Sequence, residues 1–273
     1  MKKIIIFAIV LLVSSLTRAQ VIVAPTILFM GDQSRFGTFV VMNRSNTPQE
    51  ISVSFRFGFP ESDSSGNIRM QYDDSLMAEK HSCQPWVKGF PQKFIVNPGQ
   101  QQVVRLLVSP PANIGDGEYW TRLVTSSTPQ AKTIDTVRTG ITANITFVLE
   151  QVTTIIYKKG NASTNIELPE VEVKKDSASM NLLAHVTRGG NSPFFGRISA
   201  VVEDKAGNKL FSQDEVIAVY RNDMTLKFAV PLSKLPEGSY TADITLSSDR
   251  TDISQDDLLK TASVEKTINF SIQ

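Results

Sequence analysis

One cysteine, Cys83, two histidines and two tryptophans are all that the 273 residues hold of those types. A lone cysteine excludes an intramolecular disulfide and a metal cage built from thiolates. His81 and His185 lie far apart, and neither has a partner at the spacing that metal ligands need. Charge of one sign is also missing, with 28 Lys and Arg against 27 Asp and Glu. That balance leaves no electrostatic footprint for nucleic acid. No block of like charge forms a membrane-surface arm. There is no glycine-rich loop opening a helix and no Gly-x-Ser-x-Gly elbow, so neither phosphate cradling by such a loop nor a hydrolase nucleophile is encoded in those forms. The expectation is a protein without metal, cofactor or catalysis.

Long apolar runs are scarce too. The one clear run, Ile4 to Val13, follows Lys2 and Lys3 and precedes small and polar residues ending at Ala19. It is too short to span a bilayer, which takes about 20 apolar residues, and it has the layout of an export signal. Residues 1–19 are therefore read as a signal peptide, leaving no integral membrane segment after cleavage. Lys2, Lys3 and Arg18 leave with it, taking the formal net charge from +1 to −2.

What remains is rich in alternation. Ile51, Val53, Phe55, Phe57 and Phe59 occupy every second position of ISVSFRFGF. Val104, Leu106 and Val108 do the same after the turn Asn97-Pro98-Gly99. Successive strand side chains point to opposite faces, so these segments are half-buried antiparallel strands. No 3.6-residue period is sustained, apart from a short turn near Asp256 to Lys260. After the polar break Tyr157 to Asn161, about seven further strand candidates reach Gln273, separated by turns such as Ala206-Gly207-Asn208 and Pro236-Glu237-Gly238. The fold class is all-β: two immunoglobulin-like sandwiches in tandem, over residues 20–157 and 158–273.

Ile141, Ala143, Ile145, Phe147 and Leu149 alternate without interruption in a predicted strand over 140–157. Two readings fit it. It is an interior strand of the sandwich, or a strand with an open edge that pairs with another chain. A polar loop, Thr128 to Thr139, precedes it. His81 and Cys83 stand close in KHSCQPW, but a thiol–imidazole pair needs contact and an orienting third group.

Three stretches in order, residues 24–55, 94–111 and 116–129, resemble the periplasmic chaperones of the chaperone–usher pilus pathway, the PapD-type family. The most specific is FIVNPGQQQVVRLLVSPP, followed by DGEYWTRLVTSSTP. The resemblance implies a periplasmic chaperone that caps pilin or other secreted β-rich subunits by donating the last strand of its first domain, with an outer-membrane usher as a further partner. The donor residues it implies are Ile141, Ala143, Ile145, Phe147 and Leu149. The family's two basic anchors for the subunit's terminal carboxylate fall at Ile27 and near Val152 or Thr154, none of them basic, with Arg35 the nearest substitute. Glu118 and Lys158 fall where the family places an interdomain ion pair. Arg105, between apolar neighbours, is expected to have a structural partner. The rival reading is a non-enzymatic structural or adaptor protein of the cell envelope with the same two sandwiches.

Overall fold

The computed structural model describes residues 21–130 and 147–272. Their packing divides into two compact units. One comprises Met1–Arg56, Cys83–Pro111 and Trp120–Ile156; the other comprises Phe57–Ser82, Ala112–Tyr119 and Tyr157–Gln273. The sequence predicts one boundary at 157/158, whereas residues 57–82 and 112–119 pack with the second unit.

The first unit is a sandwich of two sheets. One has the order β1 (Val21–Ala24), β3 (Phe36–Asn43), β9 (Gln101–Val108), β7 (Val87–Phe90). The other has the order β2 (Ile27–Gly31), β11 (Leu149–Lys159), β10 (Gly117–Pro129), β4 (Gln49–Arg56), β8 (Lys93–Val96). Alternation sets which face is buried. Val104, Leu106 and Val108 of β9 and Ile51 and Val53 of β4 enter the core beside Phe39, Trp120 and Leu123. Asn43 is fully buried, and its amide donates to the Thr47 and Val96 carbonyls at 2.8 Å each. Those bonds hold the bend between β3 and β4 without leaving a polar group unpaired. Arg105 points outward from β9 opposite Thr38 and Phe90, and it has no ion pair among the described residues. The expected structural partner is absent because Val104 and Leu106 turn inward and leave Arg105 in solvent.

The predicted run through Phe59 breaks. β4 ends at Arg56, and the chain resumes as a hairpin of β5 (Phe59–Ser62) and β6 (Ile68–Gln71). A Cβ on Gly58 would sit 2.4 Å from a ring carbon of Tyr72, so only glycine admits this approach. A helix follows, α1 (Ser75–His81), capped by Asp74, whose carboxylate accepts from the Met77 N–H at 2.9 Å. Neither the hairpin nor the helix was expected. The Ser62 hydroxyl accepts from the Thr225 N–H at 2.7 Å, and Lys227 donates to Asn67 at 2.8 Å, fixing the hairpin within the second unit.

The second sandwich uses seven strands. The sheet β12 (Thr164–Lys175), β13 (Ser179–Gly190), β16 (Asp223–Pro231) faces β15 (Lys209–Val219), β14 (Phe194–Asp204), β17 (Gly238–Ser247), β18 (Val264–Ile272), each named in sheet order. Leu182, Phe194, Phe228, Ile244 and Leu246 form its core. Phe194 has no exposed surface, so Phe194→Ala should lower stability by about 3–5 kcal/mol, read from the urea midpoint.

One local device occurs twice. The Tyr119 hydroxyl donates to the Gly115 carbonyl at 3.0 Å, and the Tyr240 hydroxyl donates to the Pro236 carbonyl. Each tyrosine stands near the start of a long strand and bonds four residues upstream, which is the tyrosine corner of immunoglobulin-like sandwiches. The matching segments Gly117-Glu118-Tyr119 and Gly238-Ser239-Tyr240 carry it.

Candidate functional site

β11 has two unlike ends. Thr153 is 2 % exposed, and Ile155, Ile156 and Tyr157 are fully buried. Consecutive burial means that both faces of this end are covered. The Thr154 N–H donates to the Thr26 carbonyl at 2.9 Å, and the Thr153 hydroxyl donates to the Pro25 carbonyl at 3.1 Å. At the other end Val148, Leu149 and Val152 are exposed, and Phe147 keeps 80 % of its surface in water. Ser127 and Ser126 on β10 hydrogen-bond the Leu149 carbonyl at 3.4 Å and the Glu150 carboxylate at 3.2 Å. On the opposite side stands β2, whose five residues are too few to cover the eleven of β11.

The strand predicted over 140–157 is described only from Leu149, and Phe147 and Val148 precede it outside any regular element. Ile141, Ala143 and Ile145 lie outside the described residues, as do 131–139 of the predicted polar loop and the signal peptide. Pro129, expected in that loop, closes β10 instead.

Among the anchor positions, Ile27 opens β2, and Val152 and Thr154 lie on β11. Arg35 makes an ion pair with Asp32 at 3.7 Å, in the turn beyond Gly31. From Thr26 to that turn is about 16 Å at 3.3 Å per residue. A cation that the sequence did not single out is nearer. Arg122, on β10 and 5 % exposed, donates to the Thr154 hydroxyl, at one of the positions where a basic anchor is absent. It stands directly opposite Arg56 on β4. The signal lay in YWTRLV, where a charged residue falls among large apolar ones.

Glu118 and Lys158 both belong to the second unit. The Glu118 side chain is buried, and neither carboxylate oxygen has a hydrogen-bond partner among the described residues. Burial pushes its carboxyl up to about 8, against the opposing pull of Lys158, and Asp257 adds to the rise.

Cys83 is fully buried, which pushes its thiol far above the ordinary value, so no thiolate forms beside His81. His185 contacts Thr225 at 3.2 Å and Glu172 at 3.8 Å on the strand surface. Among the described residues no three His, Cys, Asp or Glu converge as a metal site, and no helix is long and apolar enough to cross a membrane.

No protein-family model and no curated protein matches the sequence. Solved structures to which the chain is similar include chaperones and chaperone–subunit complexes. They include the CsuC–CsuE chaperone–tip adhesion subunit pre-assembly complex from Csu pili of Acinetobacter baumannii. There identity is 14 %, over 90 % of this chain and 98 % of that one, with a TM-score of 0.48. The Salmonella enterica SafA pilin in complex with the SafB chaperone matches at 13 % identity, over 92 % and 98 %, with a TM-score of 0.48. The Pseudomonas aeruginosa CupB2 chaperone matches at 12 %, over 92 % and 100 %, with a TM-score of 0.43.

Proposed function

We propose that this chain is an exported, periplasmic chaperone that caps a pilin or other surface-fibre subunit by β-strand donation. The supporting observation is the start of β11, where Phe147, Val148, Leu149 and Val152 stand in water at the head of a strand that is otherwise sealed. A strand serving only its own core would not leave three consecutive apolar residues, and Val152 beyond them, open. Added to an incomplete sandwich, such a segment supplies backbone bonds for affinity and alternate side chains for pockets. By the same alternation Ile141, Ala143 and Ile145 extend the series. The subunit's terminal carboxylate is assigned to Arg122, with Arg56 beside it, in place of Arg35. An outer-membrane usher is the onward acceptor.

Co-expression of the full chain with secreted β-rich proteins encoded beside it tests the reading. A one-to-one complex and a raised soluble yield of the subunit are expected. Arg122→Met should weaken that complex about tenfold to a hundredfold, since a hydrogen bond to a charged group contributes about 1.5–3 kcal/mol. Amidating the subunit's C-terminus should weaken the wild type equally and leave Arg122→Met unchanged. Fractionation with the envelope, and no such complex, would favour the structural-adaptor reading.

A further inference from the structure

A cleft of about 290 Å³ lies among residues of the second unit, between α1, the end of β13 and the 220–223 turn. Arg188, 9 % exposed, is part of its lining. The guanidinium donates to the carbonyls of Arg221 at 3.2 Å, Gly190 at 3.1 Å and Ser192 at 2.8 Å, and to the Asn222 side-chain oxygen at 3.0 Å. Every one of these acceptors is neutral, and among the described residues no carboxylate pairs with it. A buried guanidinium normally has a counter-charge. Here the donors are satisfied while the charge is not.

More cations line the same cleft. Lys80 and His81 close the last turn of α1, and Arg221 faces them. Arg221 makes ion pairs with Glu61 and Asp74 at 3.7 Å each, longer than hydrogen bonds, and is itself exposed. Asp74 is already engaged in capping α1. Asp223 is the remaining acid of the lining. His81 is held below its ordinary value by burial first, then by Arg188 and Lys80, which agrees with a positive potential in the cleft.

We propose that this cleft binds a phosphate group, with Arg188 setting the potential, Lys80 and Arg221 supplying the direct donors, and His81 standing beside them in the lining. Donors from separate elements suit a tetrahedral oxyanion, which offers oxygens in several directions, better than a planar carboxylate. The group could be free or carried on a lipid headgroup. Leu76, beside the cleft on α1 and 71 % exposed, offers an apolar contact in the second case.

The two histidines make the test direct. Inorganic phosphate, titrated into the full chain at constant ionic strength, should shift the His81 ring signals saturably and leave those of His185 unmoved. Lys80→Gln and Arg221→Gln, both at exposed positions where folding is retained, should each weaken binding about tenfold, as expected for losing one charge-assisted contact. In a second arm, phosphatidylglycerol vesicles are sedimented with the protein, with phosphatidylcholine vesicles as control. Sedimentation lost on either substitution identifies the headgroup as the source, and a His81 shift without sedimentation identifies the free group. The proposal is overturned if phosphate moves His81 no more than chloride does and neither substitution alters vesicle binding.

Discussion

Phe147→Asp abolishes subunit capture and leaves both sandwiches folded: that is the expected result if the head of β11 is the donor segment. Phe147 is 80 % exposed, so the free protein gains almost nothing from its burial. Surface changes of this kind move stability by about 0.5 kcal/mol or less. In the complex the balance reverses. A phenylalanine entering a groove contributes about 1.5–3 kcal/mol, and an aspartate placed there loses that and brings an unpaired carboxylate out of water, at several kcal/mol more. At about 1.4 kcal/mol per tenfold, the affinity falls at least a thousandfold. Thermal unfolding of the free variant beside a pull-down of the subunit separates the two effects. Undiminished capture by a folded Phe147→Asp would remove this segment from the mechanism, and Leu149→Asp gives an independent check two residues on.

Glu118→Gln should stabilise the protein in alkaline solution. The carboxyl titrates near 8 in the fold, against an ordinary value of 4.5. Burial is the main cause, and the proton is therefore held more tightly in the folded state than in the unfolded one. Between those two values the folded chain carries the extra proton, so stability declines as pH rises through the window and stays low above it. At about 1.4 kcal/mol per pH unit, the loss is on the order of 5 kcal/mol. Glutamine cannot ionise, so the variant should lack this slope, match the wild type near pH 5 and unfold at higher temperature at pH 9. The opposite outcome, a variant weaker than wild type at pH 9, would mean that Lys158 sustains the Glu118 carboxylate as an ion pair.

Alternation made the faces of β9 and β4 legible before any coordinates. Ile51 and Val53 of β4 and Val104, Leu106 and Val108 of β9 found the core, with Phe55 only partly covered, because a strand has only two faces and water takes the other. The same rule marked seven strands after the break at residue 157. It failed where a local signal competes with a distant neighbour. Phe57 and Phe59 continue the alternation on paper, yet Gly58 lies against the ring of Tyr72 and the strand stops at Arg56. The helix α1 spans two turns, too few for its period to rise above chance, although Asp74 before Ser75 was a cap in plain view.

The candidate site divides along the same line. Composition and alternation sufficed to establish an all-β chain and to rule out an intramolecular disulfide and thiolate metal cages, while Phe147 and Leu149 as donors came from the family resemblance and remain a proposal. These are properties of short stretches of chain, where side-chain direction follows from position alone. Which part of β11 is sealed, and that Arg122 reaches Thr154 while Arg35 stays beyond Gly31, depended on strands far apart in sequence lying side by side. Pairing of that kind is set by the sum of many weak contacts across the sheet. No run of neighbouring residues contains that sum.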